Sequence, residues 1–112
     1  MATVHYELEK VKIGHFIFKL KGVDDEVILA SDTFCSKASA ENAIHFTRYN
    51  APDESNYELM RTNSESPYFI LRGKNYQILG KSGPYRSETA ARQAIKAAMA
   101  GAVTEEIKDL TA

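Results

Sequence analysis

Displaced by 51 positions, the chain aligns with itself without a gap. Tyr6-Glu7-Leu8 falls on Tyr57-Glu58-Leu59, Phe18 on Phe69, Leu20 on Leu71 and Gly22 on Gly73. Ser31 falls on Ser82, Ser36 on Ser87, and Ala43-Ile44 on Ala94-Ile95. Other pairs are conservative: Lys21 with Arg72, Phe34 with Tyr85, Val27-Ile28 with Ile78-Leu79. Self-similarity of this period means two copies of one supersecondary unit.

Each copy reads as β-β-β-α. Val4 to Glu9 alternates apolar and polar residues, the pattern of a half-buried strand, with Tyr6 and Leu8 on one side and His5, Glu7 and Glu9 on the other. Lys12 to Gly14 supplies a turn. His15 to Lys21 alternates again, with Phe16, Phe18 and Leu20 opposite Ile17, Lys19 and Lys21. Gly22 to Asp25 is a polar turn, and Glu26 to Ala30 a third strand. Ser36 is a natural N-cap, because its hydroxyl can accept from a free amide of the first helical turn. Lys37 to Tyr49 then carries Ala40, Ala43, Ile44 and Thr47 on one helical face. Asn50 is expected to close this helix in the left-handed conformation, with Pro52 preventing continuation.

The second copy repeats every step. Strands are expected at Tyr57 to Arg61, Tyr68 to Arg72 and Gln77 to Lys81, with a turn at Asn63 to Ser66. Ser87 caps a helix over Glu88 to Ala100, whose face is Ala91, Ala94, Ile95 and Ala98 and whose C-cap is expected at Gly101. The repeats are thus about 4–52 and 55–103, and the tail 104–112 alternates weakly, as an added edge strand does. One such unit is too small to bury an adequate core, since one helix covers only part of one sheet face. Two units can pool their surfaces. The expected fold is α+β: two tandem β-β-β-α repeats forming one pseudo-two-fold antiparallel sheet, with two helices packed on one face. The alanine-rich helix faces allow that close packing.

These residues resemble the YegP-like family of small bacterial and archaeal proteins of unknown function. The first copy matches through Gly14 to Leu20 (GHFIFKL), Glu26 to Ser31 (EVILAS), Phe34 to Ile44 (FCSKASAENAI) and Asn50 to Asp53 (NAPD). The second matches through Tyr68 to Arg72 (YFILR), Gln77 to Gly80 (QILG) and Tyr85 to Ile95 (YRSETAARQAI). The resemblance spans nearly the whole chain. It implies units that pair, here within one chain, and it brings no catalytic or ligand-binding residues with it. Two departures concern shape. Where the family tends to have Asn-Gly between its second and third strands, this chain has Val23-Asp24-Asp25 and Lys74-Asn75-Tyr76. Ala43 and Ala94 stand where glycine is frequent.

Several function classes lose support from the residues themselves. With 14 basic and 15 acidic residues the net charge is −1, which gives no bulk attraction to nucleic acid or anionic membrane. No secretory apolar segment or membrane-length apolar run is present, and Cys35 is the single cysteine, so a cytoplasmic protein without an internal disulfide is expected. The histidines His5, His15 and His45 face Asn56, Ser66 and Lys96 in the other copy, and none stands at a metal-ligand spacing. Cys35 precedes the Ser36 cap, where a thiolate is favoured, but His45 lies ten residues on, roughly 15 Å along a helix at 1.5 Å per residue. Arg86 replaces Cys35 in the second copy. Gly80-Lys81-Ser82-Gly83 lacks the upstream glycine and following helix of a phosphate loop. No enzyme, metal or cofactor is therefore expected.

What remains is the sheet face turned away from the helices. Ile17, Lys19, Lys21, Tyr68, Ile70 and Arg72 fall there, mixing apolar, aromatic and basic groups. That mixture suits a protein-protein contact, with an unidentified partner or a second copy. The alternative is single-stranded nucleic acid, with Tyr68 stacking and Lys19, Lys21 and Arg72 on phosphate. Glu7, Glu9 and Glu58 share that face and oppose it. Core, cap and turn residues repeat while reactive ones do not, so function is expected where the copies have diverged.

Overall fold

The computed structural model describes residues 4–73 and 77–111. Strands β1 (His5–Lys12), β2 (His15–Lys21) and β3 (Val27–Ala30) precede helix α1 (Lys37–Asn50). A short 3-10 turn, Glu54–Asn56, leads into β4 (Tyr57–Arg61), β5 (Pro67–Arg72), β6 (Ile78–Lys81) and helix α2 (Glu88–Gly101), and β7 (Ile107–Asp109) closes the chain. Among the described residues seven strands form one sheet in the order β4-β5-β6-β3-β2-β1-β7. The copies meet at its centre, where β3 and β6 pair antiparallel through Ala30 and Lys81. The tail does add an edge strand, but β7 runs parallel to β1, the one parallel pairing among the described residues, where the other pairings are antiparallel.

Alternation places the core as expected. Tyr6 lies opposite Leu20 and Leu8 opposite Phe18. Leu59 lies opposite Phe69 and Tyr57 opposite Leu71. Phe18, Leu20, Phe69 and Leu71 are fully buried. The register slips between Leu20 and Lys21 and again between Leu71 and Arg72. A β-bulge sets two residues of one strand against one of its neighbour. Here Ile28 and Leu29 both enter the core opposite Leu20, and Val27 joins Lys21 on the far face. At the equivalent place Leu79 is buried and Ile78 exposed.

Matching aromatic clusters sit under the helices. Tyr6 meets Phe18 edge-on at 6.0 Å between ring centres, and Phe18 stacks on Phe34 at 6.3 Å. Tyr57, Phe69 and Tyr85 repeat this at 5.7 and 6.2 Å. Ser31 and Ser82 repeat for a polar reason: their hydroxyls accept from the Phe18 and Phe69 amides at 2.9 Å.

Each helix reaches across the pseudo-two-fold. α1 packs on β1 and β2 of its own copy and on β6 of the other, while α2 packs on β5 and on β3. The Tyr6 hydroxyl donates to the Ala102 carbonyl just past α2 at 2.6 Å, and the Tyr57 hydroxyl donates to Ala51 past α1 at 2.9 Å. Burial pushes both phenol pKa values well above the ordinary range.

Ser36 and Ser87 cap the helices as expected, accepting from the Ser39 and Ala90 amides. The C-terminal ends differ from expectation. Asn50 and Gly101 are the last helical residues, and the caps are Ala51 and Ala102, both right-handed. Their amides still reach Thr47 and Ala98, four residues back, so no left-handed residue is needed. Asn50 instead donates its side-chain amide to the Phe46 carbonyl. Gly101 serves close packing: a Cβ there would lie 2.7 Å from Cγ1 of Val4. Left-handed backbone occurs at Asp25 (φ 64) in the β2–β3 turn, so an aspartate fills the position that glycine would fill most easily. Lys74-Asn75-Tyr76, the second departure from the family pattern, lies outside the described residues.

Candidate functional site on the open sheet face

Helices cover one side of the sheet, and the other side carries the candidate residues. Glu7 lies opposite Lys19, Lys21 opposite His5, and Glu9 opposite Ile17. Across the centre, Glu58 lies opposite Ile70 and Ile70 opposite Lys81, which brings Tyr68, Ile70 and Arg72 to the same side. Ile17, Lys19, Lys21, Tyr68 and Arg72 are partly exposed. Ile70 is not: it is 5 % exposed, and it lines a shallow recess with Ala30, Ile78 and Lys81. Its side chain is floor rather than contact.

The bulges add two residues that alternation alone assigns to no face. Val27 and Ile78 are equivalent positions of the two copies, and they remain 40 % and 46 % exposed on the outer side of the central strands. They flank the centre of the open face from opposite ends of β3 and β6, with Ala30 and the exposed Lys81 paired between them. No sequence signal marks a bulge here, so Val27 and Ile78 were not legible in advance.

The charges around this centre are balanced in place. Lys19 Nζ lies 3.0 Å from Glu9, Lys21 Nζ 4.0 Å from Glu7, and Arg72 3.0 Å from Glu58. At one corner, ligand atoms of His5, Glu7 and Asp25 lie within 4.8 Å of one another. Sequence spacing does not anticipate this group, because Asp25 comes from a distant turn. His5 Nε2 is 2.9 Å from Glu7, and the Lys21 ammonium is 3.8 Å from Asp25 while donating to its carbonyl at 3.3 Å. Lysine charge thus neutralises the carboxylates where a metal ion would have to stand.

The remaining candidate groups stay apart. Cys35 is exposed and joins no metal-ligand group among the described residues. His15 bonds the Ile13 carbonyl, and His45 bonds Arg48 on the solvent side of α1. Among the described residues, the shifted titrating groups have local causes. Burial raises Tyr6, Tyr57 and Tyr85, the hydrogen bonds from Ser55 lower Asp53, and the bond between Lys37 and Asp109 raises the lysine and lowers the carboxyl.

One further feature comes from divergence between the copies. Phe46 and Tyr49 of α1 are 57 % and 79 % exposed beside a groove that reaches Leu79, whereas α2 carries Ala97 and Ala100 at the equivalent positions.

A sequence profile of the family described as domain of unknown function (DUF1508) matches residues 12–58 and again 63–109. The chain belongs to this family, in its tandem form. The second DUF1508 match begins 51 residues after the first (63 against 12), in step with the internal repeat. The first match runs from the end of β1 to the start of β4, and the second from the turn before β5 to the end of β7. The chain is 46 % identical over 111 residues to the UPF0339 protein YegP of Yersinia pestis, covering 99 % of each. It is 41 % identical to a UPF0339 protein of Mannheimia succiniciproducens, covering 99 % of this chain and 98 % of that one. The fold matches the solution NMR structure of a Shewanella oneidensis UPF0339 protein with a TM-score of 0.91 at 38 % identity, over 97 % of this chain and 92 % of that one. It also matches the solution NMR structure of Escherichia coli yegP, described as a protein of unknown function, with a TM-score of 0.91 at 33 % identity. That likeness covers 99 % of this chain and 96 % of the other. No helix among the described residues is long and apolar enough to cross a membrane.

Proposed function

We propose that the chain is a cytoplasmic binding module without chemistry of its own, and that it engages a protein partner through the open sheet face. The observation that carries this is the exposed apolar residues Val27 and Ile78, which flank the central Ala30–Lys81 pair at equivalent positions of the two copies, on the sheet face turned away from the helices. Ile17 and Tyr68 extend the set to either side. Exposed apolar residues set among paired charges suit a protein contact. Single-stranded nucleic acid is less well supported, because Lys19, Lys21 and Arg72 each stand within 4.0 Å of a glutamate, and phosphate would have to displace it.

The test is native mass spectrometry of the protein isolated from its own cells, set against the double variant V27S/I78S. Both side chains are exposed, so the variant should fold, as circular dichroism and thermal melting can verify. Loss of the retained partner, or of self-association, in the variant is expected. A partner kept by V27S/I78S but lost from F46S/Y49S would move the contact to α1 and overturn the reading. Binding to single-stranded oligonucleotide at low salt, falling steeply as salt rises, would favour the alternative.

A further inference from the structure

We infer that the outer edge of β4 is a docking site for an extended segment of another protein, added to the sheet as a parallel strand. The inference starts from a tripeptide that occurs twice. Tyr6-Glu7-Leu8 of β1 and Tyr57-Glu58-Leu59 of β4 are identical. Both pair with the next strand in one register: Tyr6, Glu7 and Leu8 with Leu20, Lys19 and Phe18, and Tyr57, Glu58 and Leu59 with Leu71, Ile70 and Phe69.

On β1 the opposite edge is occupied. Ile107, Lys108 and Asp109 of β7 lie parallel beside Tyr6, Glu7 and Leu8. The Tyr6 amide donates to the Glu106 carbonyl at 2.9 Å, and the Leu110 amide donates to the Leu8 carbonyl at 2.8 Å. Backbone groups of Tyr6 and Leu8 therefore point away from β2. The shared register turns those of Tyr57 and Leu59 away from β5 in the same way. β4 ends the sheet, so no strand among the described residues takes them up. The Tyr57 amide is already used, by the Glu54 carbonyl in the 3-10 turn. The Leu59 amide and the carbonyls of Tyr57 and Leu59 remain to receive a strand.

β7 shows what stands beside the tripeptide: Ile107 beside tyrosine, Lys108 beside glutamate, and beside leucine Asp109, which is held by Lys37 of α1. The chain's own tail is not the occupant. The Lys37–Asp109 ion pair at 2.6 Å and the bond from Arg48 to the Thr104 carbonyl at 2.7 Å tie it to α1. Moving it to β4 of a second copy would gain one tripeptide edge and strip another. The occupant is a partner's extended segment with an apolar residue beside Tyr57 and a basic one beside Glu58, and without an acid beside Leu59, because Glu88 stands where Lys37 holds Asp109. This site is an edge, separate from the face proposed above, and either reading can fail without the other.

The test uses the whole protein, labelled for NMR, and a capped peptide of sequence Glu-Glu-Ile-Lys-Ser-Leu-Thr as the probe, with serine where the tail has its aspartate. Expected are shifts at Leu59 and its neighbours in β4 that saturate by millimolar peptide, and slowed exchange of the Leu59 amide. In the β7 register the lysine N–H faces the sheet and the isoleucine N–H faces away. Peptide N-methylated at lysine should therefore lose at least about tenfold in affinity, and peptide N-methylated at isoleucine should keep it, with no change to the protein. Shifts confined to β1 and β7 would mean that the probe displaces the tail, and would overturn the inference. So would no shift at millimolar peptide, equal effects of the two methylations, or concentration-dependent protection of β4 without peptide, which would make a second copy the occupant.

Discussion

Replacing Tyr6 with phenylalanine removes one oxygen and nothing else. The ring keeps its edge contact with Phe18, and Arg48 stays 5.6 Å from the ring centre. What disappears is the 2.6 Å bond to the Ala102 carbonyl, with both residues fully buried. A net hydrogen bond contributes about 1 kcal/mol, and a buried carbonyl left without a donor costs about 1–3 kcal/mol. Tyr6→Phe should therefore destabilise by about 2 kcal/mol. Tyr57→Phe provides the internal comparison. Its bond is 2.9 Å long and partly buried, so water can replace the lost donor, and the cost should be about 1 kcal/mol. At roughly 4 °C per kcal/mol for a chain of this size, the melting temperature should fall by about 8 °C and about 4 °C. Urea denaturation of wild type, both variants and Tyr49→Phe, an exposed control, measures this. A loss below about 0.5 kcal/mol for Tyr6→Phe, or a larger loss for Tyr57→Phe, would refute the claim that these phenols close each copy onto the other's helix.

Three further outcomes follow from the same contacts. Gly101→Ala should lower stability by about 1 kcal/mol in thermal melts although alanine favours helix, because its Cβ would overlap Val4; Gly83→Ala, with open space around it, should change little. Ser82→Ala leaves the buried Phe69 amide without its acceptor and should cost about 1–3 kcal/mol, read by urea denaturation. The pH dependence has two ends. Buried Tyr6 and Tyr57 have phenol pKa values raised above the unfolded value of about 10, so their contribution is full below pH 10 and is lost as pH rises beyond it, blunted in Tyr6→Phe. The Asp109 carboxyl is held low by Lys37 and Thr111, so its contribution is present above about pH 4 and lost as pH falls. As pH falls, the protection of the Lys108 amide, taken relative to its intrinsic exchange rate, should drop before that of the β2 amides.

Much of this fold could be read from the chain because the relevant energies are local. The β2 strand runs from His15 to Lys21 as its alternation requires, and Ser36 and Ser87 cap where their hydroxyls reach a free amide. Tyr6, Phe18 and Leu20 are buried because alternation puts them on the face that the alanine-rich helices cover. The period of 51 supplied the pairing of units, since neither copy can bury its core alone.

Tertiary structure decided what depends on groups distant in sequence. Whether Val27 faces out and Ile28 in depends on how β3 slips against β2, and no propensity in VILA encodes that slip. Ile70 alternates onto the open face yet is buried there. Asp25 joins His5 and Glu7 only because the β2–β3 turn brings it there, and the Lys21 ammonium then stands 3.8 Å from Asp25 and 4.0 Å from Glu7. Gly101 reads as a cap from its neighbours but is set by Val4, nearly the whole chain away. The weakly alternating tail suggested a strand, but only packing against α1 and β1 could make it parallel. Local periodicity and capping are settled within a few residues of chain. Register, orientation and the faces they expose are settled by contacts that exist only once both copies have closed on each other.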